Sequence, residues 1–190
     1  MTKNATSGAG RFHAAKFYES PESLCEVVAE FLSEGFVEHH PALVIGTPEH
    51  RAGILAALRA RRLDVDRLQS DGELLLLDDS DVLASSMADG MSDATLFTAA
   101  TAFAIEVCRG RQDRTTRAHG EMVDVLWKAG HDAAAIRVEL LWNRLAATRD
   151  FSMLCGYAMG VVSPQGSLVP TPRATHNLGS RDSYLSMTER

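Results

Sequence analysis

Cysteine is scarce: Cys25, Cys108 and Cys155 are odd in number, far apart and each set in apolar sequence. They imply no disulfide framework and point to a reducing compartment, the cytoplasm. No stretch approaches the roughly 18 consecutive apolar residues of a membrane helix, and residues 1–10 lack the apolar segment of a signal peptide. No membrane partner is expected. Positive charge is also short, because a formal net charge of −6 disfavours a broad footprint on nucleic acid or anionic lipid. The local exceptions are Arg59, Arg61, Arg62 and Arg67, and a second group at Arg109, Arg111, Arg114 and Arg117. Both groups fall near expected helix ends or loops, where water and the helix dipole account for them.

What is present is ordinary globular composition, 45% apolar and 23% charged, in 190 residues. That length suits one domain with a full core. We read residues 1–11 as a flexible leader, 12–162 as the domain, and 163–190 as an edge segment running into a disordered tail. Pro164, Pro170 and Pro172 interrupt any regular pattern in that last part.

Inside the domain, extended and helical patterns alternate. His13 to Tyr18 reads as a strand, and Ser20-Pro21-Glu22 supplies a helix cap, a first-turn proline and an acid for the positive dipole end. Leu24, Val27, Val28, Phe31 and Leu32 form that helix's apolar stripe, with Gly35 as its stop. Ala42 to Gly46 is a continuous apolar run, the pattern of a strand buried on both faces, and Leu74 to Leu77 is read the same way. Helices are expected after Thr47, from Thr95 to Val107, through Trp127, and from Ala133 to Leu145; a weaker strand is expected at Thr116 to His119 and a last core strand at Phe151 to Tyr157. Such alternation specifies an α/β fold: three layers, with a mainly parallel sheet between helices on both faces.

In an open α/β sheet, ligands gather beyond the carboxyl ends of the strands. The expected site therefore draws on His13, Tyr18, Thr47, His50, Asp78, Glu121, Trp142 and Cys155. The junction Gly46 to Gly53 occupies the place of a phosphate loop. Arg51, Ala52 and Gly53 stand where the second glycine, the lysine and the magnesium-binding hydroxyl belong, and Pro48 has no N–H to offer. Nucleotide hydrolysis is not expected. Glu121 at a helix start is explained by the dipole, and nothing in the spacing brings it near Glu139 as an acid–base pair. His13, His119, Glu121 or Cys155 could contribute to a metal site, but no compact ligand spacing occurs and none is assigned. His39-His40 reads as a solvent-facing pair.

An ordered set of segments resembles the MEDS sensory domain: His13 to Tyr18, Phe31 to Gly35, Ala42 to His50, Gly120-Glu121-Met122 with Trp127, Glu139 to Asn143, and Leu154 to Tyr157. The resemblance implies a RecA-like or KaiC-like α/β sandwich that has lost its ATPase motifs. It also implies sensing of small molecules, including hydrocarbon derivatives, with output through a joined module. No room for such a module is expected after Tyr157, so a separate signalling output protein is implied. The expected function is thus a non-enzymatic sensory domain without a cofactor. A nucleotide-binding protein with weak or no ATPase activity is the alternative, and a stand-alone interaction module, such as a homo-oligomer, is the third reading.

Overall fold

The computed structural model describes residues 12–88, 91–109, 114–159 and 185–186. The expected leader and most of the expected tail lie outside them, as do Arg111 and the side chain of Arg109.

The elements in chain order are β1 (His13–Tyr18), α1 (Pro21–Val37), β2 (Ala42–Gly46), α2 (Pro48–Ala60), α3 (Val65–Ser70) and β3 (Leu74–Asp78). There follow α4 (Asp79–Ser86), a small hairpin of β4 (Met87–Ala88) and β5 (Met91–Ser92), α5 (Ala94–Arg109) and β6 (Thr116–Gly120). Helices α6 (Met122–Lys128) and α7 (Asp132–Thr148), then β7 (Phe151–Ala158) and β8 (Leu185–Ser186), complete them. The main sheet runs β3-β2-β6-β7-β1-β8; all its pairs are parallel except β1 with β8.

The helix starts follow local chemistry. Ser20 accepts from the Ser23 N–H and Ser23 returns a bond to the Ser20 N–H, with Pro21 in the first turn. Thr47 accepts from the His50 N–H ahead of Pro48, which lends the first turn of α2 its fixed φ.

Strand alternation then divides the core into two layers. Leu43, Ile45, Ala118, Met153, Cys155 and Tyr157 face α4 to α7, whereas Ala14, Tyr18, Val44 and Leu154 face α1, α2 and α3. The α/β, mainly parallel reading is what the structure shows. Three local expectations are corrected. Among the described residues β3 is an edge strand, paired only with β2, and its last four residues are half-buried, so its apolar run reflects one covered face and a partly covered other one. α4 lies where no helix was expected, because its start, Asp78-Asp79-Ser80-Asp81, reads as a polar loop until Asp78 is seen to cap Ser80. Arg117 is buried on β6 instead of solvated: it donates to the Phe31 carbonyl at 2.7 Å near the end of α1, with Glu34 and Glu38 beside it.

Candidate functional site

The chain leaves β2 through α2 and α3 to reach β3 on one side, and leaves β6 through α6 and α7 to reach β7 on the other. Between β2 and β6 the connections diverge and cross opposite faces of the sheet. A crevice at the carboxyl ends of two such strands is the usual ligand position of open α/β sheets.

Buried polar groups converge at this point. Glu121, just past β6, is 1% exposed, and its side chain makes no capping bond to α6. Its carboxylate is therefore held by partners other than the first N–H groups of α6. His50 Nδ1, from the first turn of α2, bonds Glu121 Oε2, and His119 Nε2 faces Glu121 Oε1 at 3.2 Å. His119 Nδ1 in turn faces the Leu154 carbonyl at 2.9 Å. Burial alone would raise the Glu121 carboxyl, but the hydrogen bonds from His119 and His50 outweigh it and hold the group down at about 2. The same bond to Glu121 raises His50 against the opposing effect of burial. Gly46 makes room for this arrangement: a Cβ there would lie 2.6 Å from Glu121 Oε1.

The polar array continues to Tyr18, whose ring meets the His50 ring edge-on at 5.9 Å. Tyr18 donates to Asp124 Oδ2 at 2.9 Å, and Lys128 reaches both groups, Asp124 at 2.7 Å and the Tyr18 oxygen at 3.1 Å. Asp124 Oδ1 also accepts from the Ala158 N–H. Burial and then the Asp124 carboxylate push the Tyr18 hydroxyl well above its ordinary range. Toward the sheet edge Asp79 is buried with Oδ2 unpartnered, and desolvation raises it. Beside it Arg51 pairs with Asp78 at 2.6 Å. From that ion pair an open groove of about 670 Å³ runs down β3 between α4 and α5, lined by Leu75, Leu77, Val82, Ala104 and the exposed Phe103 and Val107.

Of the expected site residues, Tyr18, Thr47, His50 and Glu121 gather at the β2–β6 crevice, and Asp78 stands at the mouth of the adjoining groove. Trp142 does not. It is 1% exposed in the core, edge-on to Phe97 at 5.1 Å and tilted against Phe151. His13 and Cys155 lie elsewhere too, together on the α7 face of the sheet, where His13 Nε2 is 3.1 Å from Cys155 Sγ. Glu121 and Glu139 belong to these two separate clusters. His39 is exposed, and His40 is half-buried, facing the Thr115 carbonyl. Sequence reasoning left out Asp124 and Lys128. The four-residue step from Asp124 to Lys128 was a readable helical ion pair, whereas only the strand order brings Tyr18 to it.

A doubly wound α/β domain with its buried charges at the strand switch point is the class that fold and site define. The family model described as MEDS, the MEthanogen/methylotroph, DcmR Sensory domain, matches residues 12–170, and the chain belongs to that family. No curated protein matches the chain in sequence.

Proposed function

We propose that this chain is a sensory domain that takes a small molecule at the β2–β6 crevice and the groove leading from it, and that it signals without catalysing a reaction. The observation that carries this reading is the His50–Glu121–His119 array. A carboxylate 1% exposed and held ionised by two imidazoles is more buried charge than a helix start requires, and perturbed groups of this kind cluster at functional sites. The adjoining groove has an apolar floor with one ion pair, Arg51–Asp78, at its mouth, which suits a small amphipathic molecule with a single polar group. Occupation of the groove would bear on the Arg51–Asp78 pair, and Arg51 belongs to the same first turns of α2 as His50, so a ligand could act on the Glu121 array through that helix.

The absence of nucleotide chemistry is part of the proposal. Thr47 already takes the His50 N–H at the start of α2, and Glu121 and Glu49 bring negative charge to the place a phosphate would need. A regulatory output protein as partner also belongs to the proposal.

The test is native mass spectrometry of the purified chain, followed by NMR shift mapping with a panel of small alcohols, amines, carboxylates and haloalkanes. Saturable shifts at Leu77, Asp78, Val82 and His50 are the expected result. Shifts confined to other surfaces, or tight magnesium-dependent ATP binding instead, would overturn it.

A further inference from the structure

A second cluster lies between β1, β7 and α7 and shares no residue with the crevice. His13 pairs in register with Met153, so Cys155 is its diagonal neighbour on the same face, and Glu139 and Asn143, one helical turn apart on α7, sit over both. His13 Nε2 lies 3.1 Å from Cys155 Sγ and 3.6 Å from Glu139 Oε1, and the three ligand atoms are all within 4.8 Å of one another. We propose that His13 Nε2, Cys155 Sγ and Glu139 Oε1 bind one transition-metal ion of the zinc, cobalt(II) or iron(II) kind.

Three features beyond proximity support the assignment. The first is the orientation of the histidine. Asn143 Oδ1 faces His13 Nδ1 at 2.7 Å and can only accept, so Nδ1 carries the hydrogen and Nε2 presents its lone pair to the cluster. Metal-bound histidines are held in this way, through the ring nitrogen that does not bind the metal. The second is the carboxylate. Tyr157 donates to Glu139 Oε2, which fixes the group and leaves Oε1 turned inward, buried and without a hydrogen-bond partner. The Cys155 S–H is directed to His13, so the cluster offers Glu139 Oε1 no donor; a cation would satisfy it. The third is the donor set. Imidazole, thiol and a single carboxylate oxygen suit zinc-like ions and do not suit calcium or magnesium, which take oxygen shells.

The geometry is close to what such an ion requires. Bonds of about 2.0–2.1 Å to nitrogen and about 2.3 Å to sulfur place tetrahedral N and S ligands roughly 3.5 Å apart. The present 3.1 Å needs to open by only a few tenths of an ångström. On binding, the metal–sulfur bond replaces the S–H bond of Cys155 and one proton leaves to solvent. Three protein ligands leave the fourth position to water or to a small exogenous ligand. Glu139, at 17% side-chain exposure the most accessible of the three, marks the route in.

The purified, metal-free full chain should be titrated with cobalt(II) alone. The expected result is one equivalent bound with a thiolate-to-cobalt charge-transfer band, displaced by zinc. The band should vanish in Cys155→Ser and persist in Cys25→Ser and Cys108→Ser, while Glu139→Gln weakens binding at least 10-fold. Because Cys155→Ser could disturb the sheet, X-ray absorption of the zinc-loaded parent gives a separate check: one sulfur at about 2.3 Å among nitrogen and oxygen ligands. A parent that binds no cobalt at saturating concentration, a thiolate band that survives Cys155→Ser, or a zinc shell without sulfur would each overturn the proposal. None of these outcomes bears on ligand binding at the β2–β6 crevice, whose residues Tyr18, His50, His119 and Glu121 are not part of this cluster.

Discussion

His50, on the helix that follows β2, bonds through Nδ1 to Oε2 of Glu121, at the end of β6, and so spans the gap between two strands whose connections leave in opposite directions. His119 holds the other carboxylate oxygen, so the position of the charge is fixed from both strands.

Glu121→Gln tests how much that anchoring contributes. The variant keeps the shape and removes the charge, weakening two charge-assisted hydrogen bonds at a buried site. A loss of about 1.5–3 kcal/mol is expected, the range for bonds to charged groups, against the few tenths to 1 kcal/mol of a dipole effect at an exposed helix start. Denaturant unfolding measures it. A change confined to the dipole range would return Glu121 to a helix-start role.

The same pair sets a pH window. His50 is raised above its usual 6.5, so its contribution is complete below 6.5 and is lost as the pH climbs through the raised value. Glu121 is lowered from 4.5 to about 2, so its contribution is complete above 4.5 and is lost as the pH falls toward 2. Both act fully between pH 4.5 and 6.5. The stability difference between parent and Glu121→Gln is therefore expected to be largest there and to shrink on either side. Urea midpoints across the pH range check this, and a difference that keeps growing above neutrality contradicts it.

How much of this was readable in the chain depends on the distance over which each feature is decided. The alternation of elements was legible because α1 and β2 carry local evidence: a serine cap, a proline and an apolar stripe in one, and an unbroken apolar run in the other. The edge position of β3 was not, since Leu74 to Leu77 looks the same in a central strand. Grouping residues by strand ends placed Cys155 with Glu121, but the two-residue period of β7 sends Cys155 and Tyr157 to the face opposite Leu154. Strand order and register decide which residues meet. His13 meets Cys155 because β1 lies beside β7, a pairing across most of the chain that no local pattern records.

Trp142→Ala is expected to destabilise the fold by about 3–5 kcal/mol, the range for deleting a large buried aromatic. The indole fills the space between α7, Phe97 on α5 and Phe151 on β7, and the remaining side chains cannot close that volume. Thermal or urea unfolding provides the measurement. A midpoint near that of the parent would mean the indole is not packed as described.

Gly46→Ala probes the crevice from the backbone side. The backbone at Gly46 is not left-handed, so alanine brings no conformational strain of its own. Its methyl carbon would, however, lie 2.6 Å from Glu121 Oε1 and 3.3 Å from the carboxylate carbon. A long side chain usually moves aside cheaply, but here both oxygens are tied, one to each histidine. Relieving the contact means stretching the bond to His119, to His50 or to both. A cost of roughly 1–3 kcal/mol is expected, typical of overpacking, together with a fall of the His50 pKa toward its ordinary value as the bond that raises it is strained. Glu121→Ala separates this cause from others, because it removes the atoms that the new methyl meets. In that background Gly46→Ala should cost little, and the double-mutant cycle should give a coupling energy of at least about 1 kcal/mol, well outside the few tenths found for independent sites. Full additivity, with an unshifted His50 titration in Gly46→Ala by NMR, would show that the carboxylate is not held against β2 in solution.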